Sequence, residues 1–425
     1  MKYSRQINMK KKKIFIAIRL FSGFETSLKK KKWMPEGVPT IYRILEGLQN
    51  QSFLNVFFLT KDSGATYLSN WKEKKDIKII IKEFDANIYV LAGINYFKQF
   101  FPKKILMIIR DLRHLIKIIK YIKMEKPDII YLDSSNVVIA AFIKFVFPEI
   151  PIVLRVLGVC AFLRTIVHSK RIVHIIYRIA FKSKFAAVIA TQDGSGIEYW
   201  LDKVLNANVK KYVLLNGVNT KVDKVFVDKK FIQLREINKN KIIILFLGRL
   251  EEYKGINKFI DAAIALLKEF EIKLHFVIVG NGSLYNEAIN RIKKDHYSNS
   301  FTFLSNIPHK KVMQLHQISD IYVSTNNDGN LSNANLEAIS SNDCMVIPKP
   351  REFEKIDLKT FSYLQNSVIY YDITKTNDLI KKIKFLITNP NEINKMKMKI
   401  SKIKLNFLKS WEKRVEEEKS ILLNL

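Results

Sequence analysis

Apolar residues in this chain gather in short solid runs, and each run is followed by a longer stretch with apolar positions three and four apart. The runs at 14–20, 53–59, 77–81, 129–132, 152–156, 186–190 and 213–215 have the length of strands. Solid rather than alternating runs mark strands covered on both faces. With helical stretches between them, they predict a mostly parallel α/β sheet. A polar bridge, 219–240, interrupts the rhythm. It restarts with runs at 242–247, 274–279, 301–304, 321–323, 345–347 and 367–370, separated by helical patterns at 256–270, 283–294, 310–317 and 333–341. The pattern predicts two Rossmann-like units in series. The tail, 391–425, is charged and helical in period with Trp411 as its one tryptophan, and it is long enough to fold back on the first unit.

Length agrees with this division, since 425 residues exceed what one core comfortably holds. Two cysteines, Cys160 and Cys344, give neither a disulfide framework nor a zinc pattern. The basic start leads into a short run containing Arg19, which does not read as a secretory signal. Lys144, Glu149 and Arg155 break the most apolar region, 139–163, below the roughly 18–20 residues of a membrane span. The expectation is a cytoplasmic protein, peripheral at most at the inner face of the cell membrane. The net charge of +32 is uneven: residues 1–216 hold 38 basic and 16 acidic residues, the remainder 34 and 24. Such a balance favours anionic partners. Nucleic acid is not among those expected, because no zinc spacing, RNP-like motif or aromatic-studded basic stripe occurs.

Chemistry concentrates where strands end. The run 242–247 empties into Gly248-Arg249-Leu250-Glu251-Glu252-Tyr253-Lys254-Gly255. Two cations beyond the carboxyl end of a parallel strand, beside a helix start, can clamp a diphosphate; the competing reading pairs them with Glu251 and Glu252 in a solvated loop. Gly280-Asn281-Gly282 forms a second such turn, able to bring backbone close to a base or ribose. In the first unit Pro35-Glu36-Gly37 opens a helix, and Gly37 lets backbone N–H groups approach a ligand. Glu337, on the helix after Asp328-Gly329-Asn330, can meet a ribose diol or cap local backbone. A dinucleotide dehydrogenase is not indicated, since the loop 21–39 lacks GxGxxG.

Together, GRLEEYKG, VGNGSLY, ISDIYVS and NLSNANLEA resemble the donor domain of family 4 glycosyltransferases with the GT-B fold, and Asn216-Gly217-Val218 resembles the signature that closes their first domain. The resemblance is strong over 213–348. It implies two Rossmann-like domains facing across a cleft: 1–216 binding acceptor, 217–395 binding donor, and 396–425 returning to the first domain. It further implies a retaining, metal-independent transfer from a nucleotide-diphosphate sugar, with no other cofactor. Arg249 and Lys254 would hold the diphosphate and serve catalysis; Glu337, with Gly248, Gly280, Gly282 and Asn333, would surround the donor, and Gly37 would face it across the cleft. Gly329 stands where the family's first paired glutamate is expected, with Asp328 one place before it, so Asp328 would join the donor site if the loop bulges by one residue. Arg155 and Gly158, at a first-domain strand end, would lie on the acceptor side.

The acceptor is expected to be a glycan or a lipid-linked sugar, as in cell-surface polysaccharide or glycolipid synthesis. In the helical stretch 164–184, Arg164, His168, Arg171, His174, Arg178 and Lys182 recur every three or four residues, a spacing that suits either an anionic membrane surface or plain solvent. Lys29 to Lys32 beside Trp33 and Met34 add to that interfacial character.

Overall fold

The computed structural model describes residues 11–61, 71, 73, 75–93, 102–219, 228–305 and 307–425, with backbone only at 103, 104, 309 and 310. The basic start as far as Lys10 and part of the polar bridge, 220–227, lie outside the described residues.

The first sheet comprises β1 (Lys12–Arg19), β2 (Ser52–Leu59), β3 (Ile77–Ile81), β4 (Phe84–Leu91), β5 (Ile129–Asp133), β6 (Ile152–Val156), β7 (Ala187–Gln192) and β8 (Lys210–Leu215), in the order β3-β4-β2-β1-β5-β6-β7-β8. All its neighbours run parallel except β3 and β4, a hairpin at one edge. The second contains β9 (Ile242–Leu247), β10 (Leu274–Val279), β11 (Phe301–Leu304), β12 (Ile321–Val323), β13 (Cys344–Pro348) and β14 (Ile369–Tyr371), in the order β11-β10-β9-β12-β13-β14. That is the doubly wound order, and it reverses direction between β9 and β12. Each sheet carries apolar packing on both faces, which is why its central strands are solidly apolar.

Two crossings join the domains, and they lie side by side. The amide of Val218 donates to the Lys409 carbonyl, and Val218 bridges Ser410. A Cβ on Gly217 would fall 2.5 Å from the Cα of Trp411, so only glycine lets the crossings approach this closely. The tail is two helices. Pro390–Ile403 places Met396 and Ile400 in the second domain's core, whereas Trp411–Leu423 packs on the helix Pro39–Leu48 of the first. The return therefore begins after Ile403, later than residue 396.

Two sequence expectations change. The segment 77–81 is not a parallel strand of the rhythm but the antiparallel edge of a hairpin with β4, which the sequence reading passed over. The stretch 164–184 is not one helix: it breaks into Ala161–His168 and Ile172–Phe181, with Ser169 and Arg171 both extended. The Ser169 hydroxyl accepts from the Arg171 amide, while the Arg178 guanidinium donates to the Ile166 and Ser169 carbonyls at 2.6 Å. A short polar side chain and a long cation thus satisfy the backbone groups that a continuous helix would have paired.

Candidate active site in the cleft between the domains

The carboxyl ends of β9 and β12 open into a cleft of about 1280 Å³ between the sheets. Gly37, Gly248, Arg249, Lys254, Gly280, Gly282, Asn333 and Glu337 all line it. Residues that the sequence reading did not single out line it too, among them Ser22, Thr26, Tyr42, Ser305 and Asn326. Ser22-Gly23 follows β1 as Gly248 follows β9, so topology was the signal that could have found it.

The turns after β9 and β10 are stitched together. Gly248 donates to Val279, Leu250 to Asn281 and Leu284 to Leu250, all through backbone amides at 2.9–3.0 Å. A Cβ on Gly280 would sit 1.8 Å from the Gly248 carbonyl oxygen, which fixes Gly280 as glycine; Gly248 itself has open space before it. Glu251 accepts from the amide and hydroxyl of Ser283, a contact within the second domain that holds the loop between Arg249 and Lys254. Lys254 is anchored from behind, since the Thr325 hydroxyl donates to its carbonyl at 2.8 Å. Burial, and then the neighbouring Arg249 cation, push the Lys254 ammonium down to about 8, against the pull of Asp193 and Asp328. A positive pair held together in a half-buried cleft is arranged for a polyanion.

Across the cleft, Gly37 adopts φ +86° at the mouth of the helix Pro39–Leu48, whose first turn faces the second domain. A polar relay links the sides: the Thr40 hydroxyl donates to Asn216, and Asn216 donates to the Asn333 side chain at 2.7 Å. Glu337, on the helix Asn333–Ser340, is 8% exposed and reaches the cleft.

Three expected site residues lie elsewhere. Arg155 is fully buried beneath the sheet rather than in an acceptor wall. Its guanidinium donates to the Val156 and Ile189 carbonyls and to Thr191, and lies 3.4 Å from Glu418 of the C-terminal helix. Asp328 does not line the cleft; it pairs with Arg164 of the first domain at 2.6 Å. Gly158 packs on Asp193, whose carboxylate oxygen a Cβ would meet at 1.9 Å. Gly329 is docked too: with φ +125°, its Cβ position is closed by the backbone of Asp193, Gly194 and Ser195. No larger side chain fits there in this arrangement. Burial holds Asp193 up to about 6, although the Ser195 amide and hydroxyl and Lys254 draw it down. His114 is a core residue, buried against the Ala92 carbonyl. Among the described residues no His, Cys, Asp and Glu cluster suited to a metal ion occurs, and no helix is long and apolar enough to cross a membrane.

Residues 227–403 match the model of the glycosyl transferases group 1 family. An uncharacterised glycosyltransferase of Methanocaldococcus jannaschii is 28% identical over 236 residues, 51% of this chain and 56% of that protein, so the match spans little more than half of the relative. Among solved structures, sucrose-phosphate synthase from Thermosynechococcus elongatus superposes with a TM-score of 0.69 at 11% identity, over 96% of this chain and 98% of that one. HepE of Anabaena, solved in complex with UDP, gives 0.66 at 14% identity, over 97% and 100%. The trehalose-phosphate synthase of Burkholderia xenovorans gives 0.67 at 12%, over 98% and 99%. The chain thus has the GT-B fold throughout, and its second domain matches the glycosyl transferases group 1 family.

Proposed function

We propose that this chain is a retaining, metal-independent family 4 glycosyltransferase that moves a sugar from a nucleotide-diphosphate sugar to a glycan or lipid-linked acceptor, in cell-surface polysaccharide or glycolipid synthesis. The observation that carries the reading is the Arg249 and Lys254 pair, set in the cleft beyond β9 between two glycine turns and opposite Gly37. In such a transfer the bond between the anomeric carbon and the diphosphate oxygen breaks. The electron pair leaves with the nucleotide, and the acceptor hydroxyl forms the new bond and gives up its proton to the departing diphosphate. Arg249 and Lys254 stabilise the charge that gathers on the leaving diphosphate, a contribution of roughly 2.7–4 kcal/mol for a comparable electrostatic donor. Glu337 receives the ribose hydroxyls, and the acceptor enters from the first domain. HepE is solved with UDP, which makes uracil the first base to try.

The test is a thermal-shift screen of the protein and its Arg249→Ala/Lys254→Ala variant against UDP-, GDP- and ADP-sugars. Ligand at about 100 times its dissociation constant adds roughly 2.7 kcal/mol of stability. Stabilisation by one class, lost in the variant, supports the donor site; silence with every class removes it. A second reading, a nucleotide-sugar-binding partner subunit without turnover, is favoured by Gly329, where a glutamate is expected and none fits. Binding without transfer to any acceptor would select it.

A further inference from the structure

The break at Ser169 turns the second basic helix inside out relative to its sequence pattern. His174 is buried and Arg178 is spent on backbone carbonyls, while the apolar side chains face solvent: Ile172 is 76% exposed and Ile179 66%. The neighbouring helix Val137–Val146, packed along Ile172–Phe181, turns Phe142 and Phe145 outward on one face, Phe145 at 83%. Phe162, on Ala161–His168, is half-exposed and contacts His174 and Tyr177 edge-on. Ile172–Phe181 packs against both of the other helices, and all three turn apolar side chains to solvent with no protein over them among the described residues, a feature that marks an interaction site.

The charges around this surface select its occupant. No Asp or Glu occurs between Glu149 and Asp193, and Lys170, Arg171, Lys182 and Lys184 are all exposed at the ends of Ile172–Phe181. Apolar side chains rimmed by cations suit the boundary of an anionic bilayer, where acyl chains take the first and headgroups the second. A second copy would set like charges against each other. We propose that the outer face of Val137–Val146, Ala161–His168 and Ile172–Phe181 seats this protein on anionic membranes. One helix of this face, Ala161–His168, also touches the other domain, because its Arg164 pairs with Asp328. That the bilayer also delivers a lipid-linked acceptor rests on the glycosyltransferase reading; the seating itself does not.

The experiment is co-sedimentation of the full chain with phosphatidylcholine vesicles and with vesicles that also contain phosphatidylglycerol, at about 0.1 M salt. Each Lys or Arg near an anionic surface adds roughly fivefold to binding. The wild type is expected to favour the anionic vesicles by at least about tenfold. Phe145→Gln/Ile172→Gln/Ile179→Gln should lose about tenfold or more on them, and Lys170→Glu/Arg171→Glu/Lys182→Glu should lose the preference. Both variants should keep the thermal transition and the nucleotide-induced shift of the wild type, which separates loss of the membrane face from loss of the donor site. No binding by the wild type, or full binding by the glutamine variant, overturns the proposal. So does a lipid-free dimer that the glutamine variant dissolves, which would make the face a contact between copies.

Discussion

Removing the carboxylate of Glu418 should destabilise the amino-terminal domain from a distance of several hundred residues along the chain. Glu418 is 1% exposed, donates nothing and accepts from Tyr131 and Arg414, both at 2.6 Å, with Arg155 at 3.4 Å. Arg155 is completely buried and Arg414 nearly so. Glu418→Ala leaves two guanidinium groups in the interior without a counter-charge, and breaking a buried pair in this way costs about 3–5 kcal/mol. At about 2–4 °C per kcal/mol for a domain of this size, the first-domain transition should fall by roughly 6–20 °C. The comparison is Glu416→Ala, whose carboxylate is 66% exposed and pairs only with Lys419; it should move the transition very little. The two domains need not melt together, so the assay is a calorimetric scan with and without donor nucleotide to identify each transition. Acid should act in the same sense. Burial would raise the Glu418 carboxyl, but Arg155 and Arg414 outweigh it and hold it below the usual range. Its stabilisation is therefore present above the unfolded value and lost as pH falls through the depressed one. A shift below about 2 °C for Glu418→Ala, or an equal shift for Glu416→Ala, would refute the argument.

Lys254→Ala should lower turnover at least ~100-fold with an unchanged melting temperature; an unchanged rate would sink the proposed role. Because Lys254 loses its proton near pH 8 in the free protein, nucleotide affinity measured by titration calorimetry should weaken as pH rises through that value, and a flat profile from neutral to strongly alkaline pH would contradict it. Installing the family's glutamate by Gly329→Glu should not restore a paired site. It should instead push the 328–330 loop off the first domain, seen as a larger radius in solution scattering, since backbone atoms occupy its Cβ position at 2.5–2.6 Å. Gly217→Ala should be destabilising for the same kind of reason, with a first-domain transition lowered by several degrees and, as the control, little change for Gly248→Ala, which faces open space.

The parallel core was legible because burial on both faces imposes solid apolar runs, and the clamp around Arg249 was legible because strand, loop and helix start are contiguous. What could not be read has a common cause in long-range contact. Arg155 reads as a strand-end cation, and only its meeting with Glu418 makes it a core residue. Asp328 stands one place from the expected glutamate, and Arg164 of the other domain holds it outside the donor site. Trp33 looks interfacial in sequence, yet its ring stacks on Phe84 at 3.9 Å and its indole N–H donates to Glu46. The β3–β4 hairpin was half seen because Asp85 and Asn87, both exposed, dilute the start of the second strand. The helix break at Ser169 has no Gly or Pro to announce it.

The return of the chain's last helix to the first domain also sets a timetable. Residues 217–410 intervene between that domain's last strand and the segment that completes it. At about 5–20 residues per second, those 194 residues occupy a ribosome for roughly 10–40 s. Throughout that interval the bed for Trp411–Leu423 is bare and Arg155 lacks its counter-ion. The amino-terminal domain is thus begun first and finished last, a nascent chain that passes its greatest aggregation hazard while its second domain is already folding.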